Sequence, residues 1–325
     1  MDTYEYEKYL TTKENLKETL EKYGVAIIAG VLSDEECENM KTNMWDYLEH
    51  ITQHFETPMK RDDSSTWSQY SQLYLLHSML LQRFNVGHCK MVWDLRQNEK
   101  IISIFSTLWN TPAEDLLVSF DGASFSFPPE KTKKGWYRNN SWLHTDQSYT
   151  RSAFECVQSW VTAYDVNPGD ATLRFLEKSH LLHETFGKKF NKTDKQDWYK
   201  LEPNEVDFYI KQGCQDKSIQ CKHGDMVFFD SRTIHQGKEP LKERPVENFR
   251  CVAYLCYTPR SRATQAALKK KIKAFEELRT TNHWPHKPKL FPVHPRTYGA
   301  ALPRIEAIQK PELTPLGRRL CGYEK

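Results

Sequence analysis

A chain of 325 residues, 38% hydrophobic and 13% aromatic, holds enough apolar side chain for a substantial core, which excludes disorder as the default state. No run approaches the roughly 18 consecutive apolar residues of a membrane span, and the mean hydropathy is -0.74. The net charge of +3 is small but uneven, because residues 258–325 carry 15 Lys and Arg against 5 Asp and Glu.

The opening Met1-Asp2-Thr3-Tyr4-Glu5 is polar and acidic, so no secretory leader is expected. Helical spacing with many Glu and Lys runs over residues 10–22 and breaks at Gly24, and Val25-Ala26-Ile27-Ile28 predicts a short strand. Ser33 fits an N-cap, with Glu35 and Glu36 in the first turn of a helix reaching His50. Residues 62–66 predict a polar loop and 99–109 another helix, with Pro112 just beyond it. From Leu116 the pattern turns to β. Strands are predicted at 118–120, 123–127, 157–164, 173–176, 219–221, 226–229 and 250–257. Turns such as Asn167-Pro168-Gly169-Asp170 and Lys222-His223-Gly224-Asp225 separate them. Residues 261–280 return to helix, and a Pro-rich stretch over 284–315 is expected to wrap the core. The pattern as a whole is mostly β with flanking helices around a sandwich or barrel of jelly-roll type. It reads as one domain over 1–325: a helical region to about 115, a β core over about 116–260, and a C-terminal helix with a basic wrap from about 261. Cys37, Cys89, Cys156, Cys214, Cys221, Cys251, Cys256 and Cys321 are scattered with no CxxC pair. They predict buried thiols and a cytoplasmic location.

Two histidines and one carboxylate on one face of an ion leave open positions, which suits non-haem Fe(II) in oxygen chemistry. A His-x-acid pair supplies two of the three, because alternate residues of an extended segment point the same way. Three such pairs exist. His54-Phe55-Glu56 ends a predicted helix, where i and i+2 diverge, and reads as surface. His223-Gly224-Asp225 has turn chemistry. His144-Thr145-Asp146 follows a loop bearing Trp136, Asn139, Asn140 and Trp142 between two strands, the placement of a site mouth. On spacing alone the third ligand stays open between His235, at the end of the strand-like run 224–234, and His180 or His183.

Several segments together resemble the phytanoyl-CoA dioxygenase family of 2-oxoglutarate oxygenases. Tyr23-Gly24-Val25-Ala26-Ile27-Ile28 with Val31-Leu32-Ser33-Asp34-Glu35-Glu36 is similar to its opening strand and helix. Trp142-Leu143-His144-Thr145-Asp146-Gln147 resembles its ligand motif, with a Leu inserted after the Trp. Ala171-Thr172-Leu173-Arg174-Phe175-Leu176-Glu177-Lys178-Ser179-His180, the run from Gly224 to His235, and Arg250-Cys251-Val252-Ala253-Tyr254 follow in family order. The resemblance implies a double-stranded β-helix core, Fe(II) held by His144, Asp146 and His235, and 2-oxoglutarate and O2 as co-substrates. It makes His180 structural and Arg250 the partner of the 2-oxoglutarate carboxylate, a role suited to a planar guanidinium. Arg250 lies 15 residues beyond His235, a long spacing for the family, which leaves Arg244 as the alternative. Gln158, Trp160 and Ser124 are candidates to line the oxo-acid pocket; Tyr137, Arg138 and Asn139 are candidates to touch substrate.

The expected activity is hydroxylation of a small molecule with release of succinate and CO2. The carboxylate of Asp146 favours hydroxylation, since related halogenases leave that place to halide. Two other classes compete: a zinc hydrolase using the same three ligands, and a nucleic-acid or polyanion binder using the basic tail around Lys269, Lys270, Lys271 and Lys273.

Overall fold

The computed structural model describes residues 3–324. In chain order the first strands are β1 (Tyr4–Glu5), β2 (Val25–Ile28), β3 (Leu80–Leu81), β4 (Leu116–Val118), β5 (Ala123–Ser126), β6 (His144–Thr145) and β7 (Val157–Thr162). The rest are β8 (Thr172–Glu177), β9 (Tyr199–Lys200), β10 (Gln215–Ile219), β11 (Met226–Asp230), β12 (His235–Lys238), β13 (Arg250–Leu255) and β14 (Tyr257–Pro259). They form two six-stranded sheets, ordered β1-β10-β8-β12-β6-β9 and β2-β11-β7-β13-β5-β3, with β14-β4 as a separate pair. The facing sheets and flanking helices are the double-stranded β-helix architecture that the resemblance implies.

Period-two alternation decides what each face of the second sheet does. Val157, Val161, Met226, Phe228, Cys251, Ala253 and Leu255 belong to one core with the helices. The helices that enter that core include α1 (Leu16–Tyr23), α2 (Asp34–Thr52), α3 (Lys90–Arg96) and α4 (Glu99–Trp109). The intervening residues Trp160, Val227, Phe229 and Val252 instead pack with Leu173, Phe175 and Ile219 of the first sheet. Each large apolar side chain so buried contributes roughly 1.5–3 kcal/mol. All eight cysteines are buried free thiols, and Cys156 and Cys256 are 3.5 Å apart at sulfur.

Ser33 caps α2 as its sequence predicts: its Oγ accepts from Glu36 N at 3.3 Å and Glu36 Oε2 accepts from Ser33 N at 2.7 Å. Helix α1 begins later than its periodicity suggests, because Leu10 bridges Ile27 and Thr11 N donates to Ile27 O, drawing that stretch onto β2. It stops at Gly24, whose φ is +82°; an added Cβ would meet Thr233 Oγ1 at 2.6 Å and His180 Nδ1 at 2.7 Å. Residues 64–73 form 3-10 turns capped by Asp63 where a loop is expected over 62–66. The strand predicted at 219–221 lies earlier, over β10, and Cys221 makes an isolated bridge to Val166. The remaining helices are α5 (Pro129–Thr132), α6 (His183–Lys189), α7 (Pro203–Lys211), α8 (Gln265–Glu276) and α9 (Pro315–Leu320). No helix among the described residues is long and apolar enough to cross a membrane.

Lys271 of α8 is 1% exposed; its Nζ donates to Val118 O and sits 3.6 Å above the Phe120 ring. Burial pushes its pKa down to about 7. From about pH 7 to the ordinary lysine value of 10.5, the unfolded chain binds a proton that the native state has released, so this group makes stability rise with pH across that window. Lys271→Met removes the rise. Urea melts at about pH 7 and about pH 9.5 are expected to differ less in the variant than in the wild type by one to several kcal/mol, on the order of 1.4 kcal/mol per pH unit.

Candidate active site

After β11 ends at Asp230 the chain crosses to the other sheet through residues 231–234, and His235 opens β12. There β12 pairs antiparallel with β6, and His235 is the direct partner of His144. The crossing turn also fixes the other strand: Ser231 O accepts from Asp146 N at 3.0 Å and from Thr145 Oγ1 at 3.1 Å. With Thr145 pinned, its neighbours His144 and Asp146 project together. Asp146 Oδ2 is 3.5 Å from His144 Nε2 and 3.4 Å from His235 Nε2. One donor atom from each of the three residues lies within 4.8 Å of the others, and all three residues are buried.

The state of these groups follows from their partners. His144 Nδ1 meets Trp142 O at 3.1 Å and His235 Nδ1 meets Thr233 O at 2.9 Å, so each Nδ1 takes the proton and each Nε2 offers its lone pair. Burial pushes the His144 pKa down, helped by the neighbouring His235 charge. Burial alone would raise Asp146, but the imidazoles of His144, His283 and His235 around it hold it well below the usual carboxylate range. Two imidazoles and a carboxylate converging on one point fit a divalent transition metal.

Gln158 Nε2 donates to Asp146 Oδ2 at 2.9 Å, so this candidate steadies the carboxylate from behind. Arg250 lies on β13 with Nε donating to Ser124 Oγ at 2.9 Å and Nη1 to Ala171 O at 3.0 Å, its guanidinium 5.2 Å from the Trp160 ring centroid. Its Nη2 has no hydrogen-bond partner among the described residues. Arg244 is placed otherwise: Glu130 and Asp170 take its guanidinium in ion pairs of 2.6 and 3.0 Å. The triad, Gln158, Trp160 and Arg250 line a cavity of about 660 Å³, within the size range of small-molecule sites.

The other histidine candidates are engaged elsewhere. His54 meets Glu306 at 2.6 Å, and His223 is held between Asp34 at 3.0 Å and Asp165 at 2.8 Å in a separate acidic surface recess. His180 meets Glu21 O at 2.9 Å and His183 meets Ser148 O at 3.1 Å. Tyr137 and Asn139 are not among the lining residues; Tyr137 Oη accepts from Arg174 at 3.3 Å, and Arg138 borders a different recess. From the same loop Trp142 does reach the cavity, stacked between His77 at 3.5 Å and His144 at 4.9 Å. Sequence reasoning missed Asp121, Trp198, His283 and Trp284, which also line it. The density of aromatics in the tail was the one available signal. Several of the tail's cations are engaged within the chain: Lys273 with Glu277, Lys310 with Glu276, Arg319 with Asp115, and Lys271 in the core.

The sequence profile described as phytanoyl-CoA dioxygenase (PhyH) matches residues 20–241, more than half of the chain. The chain belongs to the phytanoyl-CoA dioxygenase family. As a member it is an oxidoreductase of the dioxygenase type that uses Fe(II), 2-oxoglutarate and O2. It is 25% identical over 279 residues to Ava biosynthesis cluster protein O of Aspergillus versicolor, covering 83% of this chain and 86% of that one. Two solved structures share the fold. The hypothetical protein JW0805 of Escherichia coli has a TM-score of 0.58 at 14% identity, over 97% of this chain and 85% of its own. The epimerase SnoN, in complex with Fe3+, alpha ketoglutarate and nogalamycin RO, has a TM-score of 0.51 at 17% identity, over 76% of this chain and 83% of its own.

The Gln158 contact carries a prediction. Gln158→Leu leaves Asp146 without its steadying donor, and affinity for Mn(II), read by titration calorimetry, is expected to fall about tenfold or more. Circular dichroism is expected to be unchanged.

Proposed function

We propose that this enzyme hydroxylates a small organic molecule, converting 2-oxoglutarate and O2 to succinate and CO2, with Fe(II) held by His144, Asp146 and His235. The observation that carries this reading is Arg250. A buried guanidinium held on two sides by Ser124 and Ala171, with a free Nη2 in the metal cavity, is a ready anchor for a carboxylate. When bound, the iron supplies the redox chemistry that couples loss of CO2 from the oxo acid to oxidation of the substrate.

The chain's own groups do the positioning. Arg250 binds the distal carboxylate, with Ser124 and the Trp160 face fixing its plane. Gln158 holds Asp146 in place by donating to its Oδ2. The Asp146 carboxylate occupies the place that halide would need, which supports hydroxylation. Phe229, Trp142 and Trp198 wall the site with apolar surface that limits water. A small-molecule substrate is supported by the size of the cavity, about 660 Å³, and by the internal pairing of several of the tail's cations.

The test is substrate-dependent succinate release across fractionated metabolite pools by the Fe(II)-loaded protein, with His144→Ala as the blank and a product one oxygen atom heavier than the substrate. If the wild type neither binds 2-oxoglutarate nor forms succinate with any pool, the reading fails. Arg250→Ala is expected to raise the 2-oxoglutarate concentration for half-maximal binding roughly thirtyfold or more, as loss of a charge-assisted pair to a buried site implies.

A further inference from the structure

The cavity contains a second group of polar side chains that the chemistry above does not use. Asp121 lies in the irregular stretch between β4 and β5 and lines the cavity. It is 8% exposed; Ser119 Oγ donates to its Oδ2 at 2.9 Å, and its Oδ1 has no hydrogen-bond partner among the described residues. His283 lines the same cavity, and its Nε2 is buried without a partner. Buried polar atoms are nearly always paired, so an unpaired one in a cavity wall marks a place where a ligand atom compensates the lost solvation.

These two residues are brought together by the backbone. Thr281 N donates to Phe120 O at 2.9 Å, and Phe120 N donates to Thr281 Oγ1 at 3.2 Å. Asp121 is the next residue on one side of this clamp and His283 the second on the other. Arg96 fixes the Asp121 carbonyl at 3.1 Å. His283, Asp121 and Asp146 all line the one cavity. Burial pushes the Asp121 pKa up to about 6, opposed by His283, Ser119 and Arg96, so the group is predominantly an anion at neutral pH.

We propose that Asp121 and His283 bind a hydroxyl group of the substrate, which donates to Asp121 Oδ1 and accepts from His283 Nε2. The complementarity is selective. A carboxylate or carbonyl would meet the Asp121 anion with no proton to offer, and an ammonium could not accept from the imidazole. Trp284 lies against His283 and the cavity the pair lines also carries Trp142, Trp160 and Tyr254, so the substrate class is a flat or ring-bearing alcohol. The assignment rests on the cavity being the substrate site of the proposed oxygenase.

The test uses the full chain loaded with Mn(II) and 2-oxoglutarate and three probes of one shape: 2-naphthaleneethanol, 2-ethylnaphthalene and 2-naphthaleneacetate. Dissociation constants come from saturation-transfer titrations. The alcohol is expected to bind about tenfold or more tightly than the other two, the scale on which a site built for a hydroxyl rejects analogues that lack one. Asp121→Asn, whose amide oxygen still accepts from Ser119, and His283→Phe are each expected to reduce the preference below about threefold, with 2-oxoglutarate affinity unchanged within about twofold. Equal binding of the three probes, no binding of the alcohol, or variants that keep the preference overturn the hydroxyl site. A wild type that prefers the alcohol yet does not bind 2-oxoglutarate overturns the functional reading and leaves the hydroxyl site standing.

Discussion

The site depends on one cross-strand pairing, His235 opposite His144 on β12 and β6. Side chains on a strand alternate faces, so a slip of one residue in this pairing would turn one imidazole out of the cavity. The short β6 could not hold register by ladder bonds alone. Register is set instead by the crossing turn, where Ser231 O takes both Asp146 N and Thr145 Oγ1 and thereby ties the first two candidate ligands to the approach of the third. Segments 85 and 86 positions apart in sequence are thus locked by one carbonyl, and the geometry of the candidate metal site becomes a consequence of how the sheets are joined.

The same alternation distributes the supporting groups. On β7 and β13 the odd and even positions separate helix-packing apolar residues from Gln158, Trp160, Arg250 and Tyr254, which face the cavity. Gln158 and Trp160 are not interchangeable lining. The first holds a carboxylate oxygen of Asp146, and the second lies beside the guanidinium that would hold the oxo acid. Ser124, one strand away on β5, completes the support of Arg250. A sheet that presents these groups rigidly gives the preorganisation that a two-substrate reaction at one metal requires.

Much of this was legible because local chemistry and global fold agree. The capping residues Ser33 and Glu36, the strand-like runs over 157–164 and 250–257, and His144-Thr145-Asp146 between strands are all local signals that match the final structure. The distinction between Arg250 and Arg244 was not legible in spacing. It depends on Glu130 and Asp170, which pair with Arg244 from segments distant in sequence. The third histidine was open on spacing for the same reason: nothing local reveals that the chain changes sheets between Asp230 and His235. The Pro-rich tail has no period to read, and its part in the cavity wall arises from the Thr281–Phe120 clamp, a tertiary contact of the kind that single-sequence patterns do not record.

The tail also bears on why a buried acid remains available in the cavity. Arg96 and Lys271 are both buried within reach of the Asp121 field, and an ion pair with either would be the ordinary fate of such a carboxylate. Neither forms one. Arg96 donates to the carbonyls of Gly87 and Asp121, and Lys271 donates to the carbonyl of Val118 and rests on the Phe120 ring. Both side chains therefore brace the backbone around Asp121 while leaving its carboxylate to Ser119 and the cavity. The arrangement costs the burial of two basic side chains. What it secures is a fixed, unpaired carboxylate oxygen in the same cavity as the candidate ligands His144, Asp146 and His235.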